Sequence, residues 1–217
     1  SAAQIDDLST QTFYNSDTTD ASGKTILPAG SRVEQTFAPA RDVMLNDGST
    51  ARVRPHSRTI YDEGAPNSGI NAATGQPYSL ATTVISDAVT TGSGPDSVSV
   101  VEAVSTTKNG YNPIDGAAAT STTSGWTLGT PTTVTDNAGR VTKQVFDARG
   151  KVVTTIAPAS NGADAGTTRT IYYTAGANTA DASYGGSDQA TAWAGAVSRV
   201  LPAAAPSEGP RTPSPTI

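Results

Sequence analysis

Residues 130–156 read TPTTVTDNAGRVTKQVFDARGKVVTTI. A short repeat lies inside this stretch. Asp136-Asn137-Ala138-Gly139-Arg140 returns eleven residues later as Asp147-Ala148-Arg149-Gly150-Lys151. Between the two copies runs Val141-Thr142-Lys143-Gln144-Val145-Phe146, rich in residues that favour a pleated, half-buried surface. Asp-x-x-Gly suits a type I turn, in which Asp at the first position accepts backbone N–H groups and Gly at the fourth takes a positive φ. A type I turn followed by a left-handed glycine commonly joins adjacent antiparallel strands. The stretch therefore predicts a meander of three strands over 132–135, 141–146 and 151–156.

Composition agrees with thin sheets rather than a thick core. The hydrophobic fraction is 35%, with three Phe and one Met in 217 residues, against about 45–50% where Gly is counted as apolar. Threonine and valine pairs across strands can stabilise such sheets without large side chains. The net charge of −5 and the lack of any Lys/Arg cluster argue against nucleic acid and anionic membrane as partners. No stretch approaches the roughly 18 apolar residues of a membrane span. The absence of cysteine excludes disulfides, thiolate metal sites and thiol catalysis.

Working outward, residues 11–15, 31–39 and 78–89 read as strands. Residues 44–53 read as a hairpin about Asn46-Asp47-Gly48. Residues 15–23 read as a solvated loop whose spaced oxygens lack the ligand pattern of a calcium loop. Arg52, Arg54 and Arg58 fall on one face of a strand through Val53 and Ile60, which reads as a solvated face, with an internal polar lining as the other reading. Pro55 in that strand points to an edge or a bulge. Residues 98–107 alternate as a half-buried strand, with Val98, Val100, Glu102, Val104 and Thr106 on one face. Residues 167–173 form the last expected strand. From residue 176 onward Ala, Pro, Ser and Gly dominate, predicting an irregular tail with a short helix over 190–200. The division is thus an antiparallel β region over 1–175 and a spacer or tail over 176–217.

The segments Asp136-Asn137-Ala138-Gly139-Arg140-Val141 and Phe146-Asp147-Ala148-Arg149-Gly150-Lys151-Val152 resemble the tyrosine-aspartate (YD) repeat of the rearrangement-hotspot (Rhs) proteins, of the form aromatic-Asp-x-x-Gly-Arg/Asn-hydrophobic. Phe146 stands where the family usually has Tyr, and Val134-Thr135 stands where the first copy would carry its aromatic. Tyr61-Asp62-Glu63-Gly64 keeps the Tyr-Asp pair with a shortened turn. Residues 156–167 and 171–176 resemble spacers between repeats in large actinobacterial members. The resemblance covers about residues 50–200. It implies consecutive antiparallel hairpins in a strip that spirals, in the family, into a hollow shell around a C-terminal toxin or effector region. The repeat-motif residues are then Tyr61, Asp62, Gly64, Asp136, Gly139, Arg140, Phe146, Asp147, Gly150 and Lys151, and Tyr61, Phe146, Tyr172 and Tyr173 resemble its stacked aromatics. The implied partners are the remainder of a larger YD-repeat protein and its enclosed effector, and the implied location is secreted or at the bacterial cell surface.

Few residues offer chemistry. His56 is the sole histidine and reads as an exposed strand residue, since no Gly-x-Ser-x-Gly motif nominates a nucleophile. Asp62, Glu63, Asp136 and Asp147 are explained by turns, and Glu102 lacks a second carboxylate for glycoside hydrolysis. Trp126 and Trp193 read as buried packing anchors. The expected chain is all-β, a strip of consecutive antiparallel hairpins with an irregular C-terminal segment, without cofactor, metal or catalysis. The alternative is a secreted module that binds a cell-surface glycan or protein through its loops.

Overall fold

The computed structural model describes residues 7–158, 166–175 and 193–203. The chain is all-β and antiparallel, built largely from consecutive hairpins. It divides into two compact units, residues 1–110 with 135–139 and residues 111–134 with 140–217.

In the first unit the strands are β1 (Gln11–Tyr14), β2 (Thr18–Thr19), β3 (Thr25–Leu27), β4 (Val33–Phe37), β5 (Arg41–Met44), β6 (Thr50–Tyr61), β7 (Ile70–Asn71), β8 (Gln76–Pro77), β9 (Ala81–Thr90) and β10 (Val100–Gly110). The main sheet runs β1-β4-β6-β9-β10, with β5 also alongside β6, while β2-β3 and β7-β8 form two small hairpins. The expected turn at Asn46-Asp47-Gly48 closes β5 onto β6: Gly48 has φ 84° and the Asp47 carboxylate accepts from Ser49 N at 2.8 Å.

β6 is the spine of this unit. Its first half pairs with β5, from Met44↔Thr50 to Arg41↔Val53, and its second half with β4, from Phe37↔His56 to Gln35↔Arg58. On its other side it pairs with β9 from Val53↔Thr90 to Tyr61↔Ala81. Pro55 therefore does not mark an edge; β6 is a central strand. Pro55 sits where the neighbour changes from β5 to β4. Its carbonyl accepts from Ala38 N at 2.8 Å. A strand residue's N and O point the same way, so the missing N–H faces the chain crossing from β4 to β5, where no ladder needs it.

The core beneath β6 is small: Phe37 and Val89 are fully buried and Val53 is 1% exposed. Phe13 meets Phe37 edge-on, 5.7 Å between centroids and 85° between planes. The β10 alternation does not produce the expected half-burial. Its pairing with β9 shifts between Val100 and Glu102 and again between Ala103 and Ser105. Each irregularity resets which side chains face inward, and Val100 and Val104 end 55% and 60% exposed.

The second unit carries β11 (Thr133–Thr135) up to its last residue, with β12 (Val141–Phe146), β13 (Val152–Ile156), β14 (Thr167–Tyr172) and β15 (Val197–Leu201), neighbours in sequence order. The three-strand meander is present within a residue of the expected bounds. β15 corrects the expectation of a helix over 190–200 and of Tyr173 as the end of regular structure. Its pairing, Arg169↔Leu201 through Tyr172↔Val197, lets a run holding two β-branched valines complete a ladder, which outweighs the helix-favouring alanines before it. Of the spacer and tail, residues 159–165, 176–192 and 204–217 lie outside the described residues.

Trp126 anchors this unit as expected. It sits in one helical turn, Gly125–Leu128, whose preceding Ser124 hydroxyl accepts from Trp126 N and which ends at left-handed Gly129. Its ring packs 4.7 Å from Tyr111 and its Nε1 donates to Asn112 Oδ1 at 2.9 Å. Only glycine fits at 125, because a Cβ there would lie 2.9 Å from the Tyr111 carbonyl oxygen and collide with that of Thr130. Trp193, in contrast, is 55% exposed and lies against Tyr173 at 5.3 Å, so it is not a buried anchor.

Candidate functional site

The repeat-motif residues build two turns of matching geometry. Gly139 N donates to Asp136 O and Gly150 N to Asp147 O, both at 2.9 Å. The Asp136 carboxylate accepts from Ala138 N, and that of Asp147 from Arg149 N and Lys151 N, each at 2.9 Å. Gly139 and Gly150 have φ of 76° and 77°. The two turns join β11 to β12 and β12 to β13.

Tyr61-Asp62-Glu63-Gly64 is a different device. Asp62 itself is left-handed, with φ 59°. Its carboxylate reaches across the long β6–β9 connection to accept from Ser79 N and Leu80 N, both at 2.9 Å. Glu63 Oε2 accepts the hydroxyls of Thr82 and Thr83. Two of the motif aromatics meet cations, the Arg32 guanidinium 4.5 Å from the Tyr61 ring and Lys151 Nζ 4.8 Å from that of Tyr172, while Tyr173 meets Trp193 edge-on. Phe146 is buried, 5% exposed. Arg140 is exposed beside its turn.

His56 overturns its expectation. It is 4% exposed, not a surface residue. Its Nδ1 lies 2.7 Å from Asp87 Oδ1 and its Nε2 3.0 Å from Gln35 Oε1, and its ring is 4.4 Å from Phe37. The register of β4, β6 and β9 places Phe37, His56 and Asp87 in one row across the sheet. Two residues along, Arg54 is fully buried. It donates from Nε to Ala38 O at 3.1 Å, and from its terminal nitrogens to Gln11 Oε1 at 2.8 Å and Ser9 O at 3.1 Å. So the arginine face is not uniformly solvated: Arg52 and Arg58 are exposed, while Arg54 is an internal polar residue. The His56–Asp87 pair has the orienting half of a hydrolase triad. Its Nε2, the nitrogen that would activate a nucleophile, is taken by a glutamine side chain.

Asp87 and Gln35 had no local sign of this role. Their signal is the cross-strand register, which a single chain does not spell out. Glu102 is also engaged, its carboxylate accepting from Asn46 N at 3.1 Å. Among the described residues no group of three His, Asp or Glu side chains could hold a metal ion. Two carboxylates sit below the ordinary aspartate range, and both are turn caps. The Ser22 hydroxyl, then the Lys24 and Ser22 backbone N–H groups, hold Asp20 down; the Ser49 hydroxyl, then Ser49 N, do the same for Asp47.

A cleft of about 560 Å³ opens in the second unit over the hairpin of β13 and β14. Arg149, Lys151 and Arg169 bring cations to it, and Val153, Ile171 and Tyr172 line it as well. Lys151 Nζ donates to Gly195 O, and Tyr172 Oη donates to Val152 O at 2.9 Å. No helix of the described residues is long and apolar enough to cross a membrane. No family model matches this chain, and neither a curated protein nor a solved structure matches it.

Proposed function

We infer that the chain is a structural segment of a YD-repeat-type β-shell, secreted or displayed at a bacterial surface, which encloses or presents a toxin or effector region and has no catalysis of its own. The observation that carries this reading is the pair of Asp-x-x-Gly turns that share the Gly N to Asp O bond, the carboxylate bond to the N–H two residues on and nearly the same glycine φ, joining three consecutive strands. A turn repeated at fixed spacing lets each hairpin add its edge to the next, which is how repeat arrays gain stability. The engagement of both His56 nitrogens supports the non-catalytic part. The test is to determine the full native reading frame and image its product by electron microscopy. A hollow β-shell with this strip in its wall is the expected result. A native product no longer than this chain, sedimenting as a stable monomer, refutes the shell.

The second reading, a binding module that meets a cell-surface glycan or protein through its loops, is favoured by one observation. The four described non-glycine residues with positive φ, Asp62, Asn67, Ser68 and Ser79, all lie in the β6–β9 connection. Strain of about 1–3 kcal/mol per residue gathers where a loop shape is functional. Loss of ligand-dependent cell binding on replacing that connection by a short turn, with the shell test negative, would establish it.

A further inference from the structure

We propose that the connection over 62–80 is a flap that opens as one unit, with the Asp62 carboxylate as its latch. This concerns how the connection moves, and it stands whichever reading of the whole chain holds.

The segment is bonded largely to itself. β7 pairs with β8 through Ile70↔Pro77 and Asn71↔Gln76. Tyr78 N donates to Gly69 O at 3.2 Å, Gly69 N to Pro66 O at 3.1 Å and Gly75 N to Asn71 O at 2.8 Å. No residue over 62–80 is buried. A segment with its own hydrogen bonds and no buried side chain lies at the low-stability end of a fold, and it opens without global unfolding. Outside its base it adjoins the rest of the unit where β8 meets β3.

The bonds that hold it shut gather at Asp62. Asp62 N donates to Leu80 O at 3.0 Å. The Asp62 carboxylate accepts from Ser79 N at Oδ2 and from Leu80 N at Oδ1, both at 2.9 Å. One residue thus ties the start of the connection to its end, and two of the bonds are charge-assisted. The Arg32 guanidinium, 3.6 Å from Oδ2, holds the carboxylate from the other side. Glu63 adds a second grip on the start of β9, its Oε2 accepting the Thr83 hydroxyl at 2.9 Å.

The latch works against strain. Asp62 and Ser79, the two residues it draws together, have φ of 59° and 55°, and Asn67 and Ser68 between them have 53° and 54°. Such conformations persist in non-glycine residues only where the surroundings impose them. Opening lets all four relax. Strain therefore favours the open form and the carboxylate bonds favour the closed one, which makes the connection a two-state element.

The experiment is residue-resolved amide exchange by NMR on the full chain, repeated at low denaturant concentrations. In the parent, the Gly75 and Tyr78 amides should exchange faster than those of the β6–β9 ladder, and with a smaller denaturant dependence, because opening exposes little surface. Asp62→Asn keeps the size and the tolerance of positive φ, but leaves one oxygen for two backbone donors. It should speed exchange at Gly75 and Tyr78, which the carboxylate does not touch, about tenfold or more. The β6–β9 ladder should keep its rates. Asp20→Asn, which removes a cap elsewhere in the same unit, should leave Gly75 and Tyr78 unchanged. Parent amides at Gly75 and Tyr78 that exchange only together with the β6–β9 ladder, at the same denaturant dependence, overturn the flap without any variant. A rise in Asp62→Asn confined to Ser79 and Leu80, or equal across the β6–β9 ladder, or absent, overturns the latch.

Discussion

Replacing Arg54 by methionine asks whether a buried cation without a carboxylate partner stabilises this fold. Methionine keeps most of the aliphatic stem and removes the guanidinium. Three acceptors then lose a donor: Ala38 O, Gln11 Oε1 and Ser9 O. An acceptor left unmet in a buried place costs about 1–3 kcal/mol, so the lower end gives about 3 kcal/mol for the three. The contact of the guanidinium with the Phe37 ring, 5.1 Å from its centroid, adds about 0.5–1 kcal/mol. Against this stands the relief of burying a charge, several kcal/mol in principle. In the native protein that cost is already met by three oriented dipoles, so the orphaned acceptors should win. A net loss of about 2–4 kcal/mol is expected. Arg54→Lys keeps the charge but not the fork and should lose about 2 kcal/mol. Both tryptophans, Trp126 and Trp193, lie in the second unit, so fluorescence would miss the effect. Amide exchange read by mass spectrometry on β1, β4 and β6 should show it, with β1 opening first because Arg54 bonds both Gln11 in β1 and Ser9 just before it. A methionine variant as protected as the parent, or more so, would show that charge burial dominates and that the arginine is a liability.

The other expectations are local. His56→Ala leaves the Asp87 carboxylate buried without its donor and should cost about 2–3 kcal/mol in urea unfolding of the first unit, where a change under about 0.5 kcal/mol would mean that water replaces the imidazole. Gly150→Ala should cost about 1 kcal/mol from its φ of 77° and more from the 3.0 Å approach of a Cβ to Leu128 Cδ2, whereas Gly139→Ala, with nothing within 4 Å, should show the backbone part alone; equal losses in thermal melts would refute the contact. Asp20 and Asp47 have lowered folded-state pKa values, so the stability they supply is present above the unfolded value of about 3.9 and lost as pH falls through the folded value. Carboxyl-carbon NMR should find both titrating below about pH 3.9, and midpoints at or above it would show that the serine hydroxyl bonds are absent in solution.

The sequence legible at short range was legible because its signals are local. Asp136, Gly139, Asp147 and Gly150 each specify a turn through bonds within four residues, and Asn46-Asp47-Gly48 does likewise. What was not legible depended on register. Arg54 and Arg58 share a parity in β6, yet one is fully buried and the other exposed, because β1 and its preceding residues cover one end of the row. His56 looked like a surface residue until β9 placed Asp87 beside it and β4 placed Gln35. The β10 alternation failed since two irregularities intervene, and no residue there announces them. β15 has little local signal, because its valines follow helix-favouring alanines and it is the ladder with β14 that selects the strand.

The meander of β11 to β13 also bears on time. Its two turns bring together residues close in the chain, so the loop-closure entropy opposing each hairpin is small. Such hairpins form in about 1–10 μs, and a chain rich in near-neighbour contacts folds faster than one that waits for distant strands. β6 and β9 stand apart from this, joined only after the connection over 62–80 has closed. The meander should therefore begin to order ahead of the β6–β9 ladder, even though that ladder precedes it along the chain.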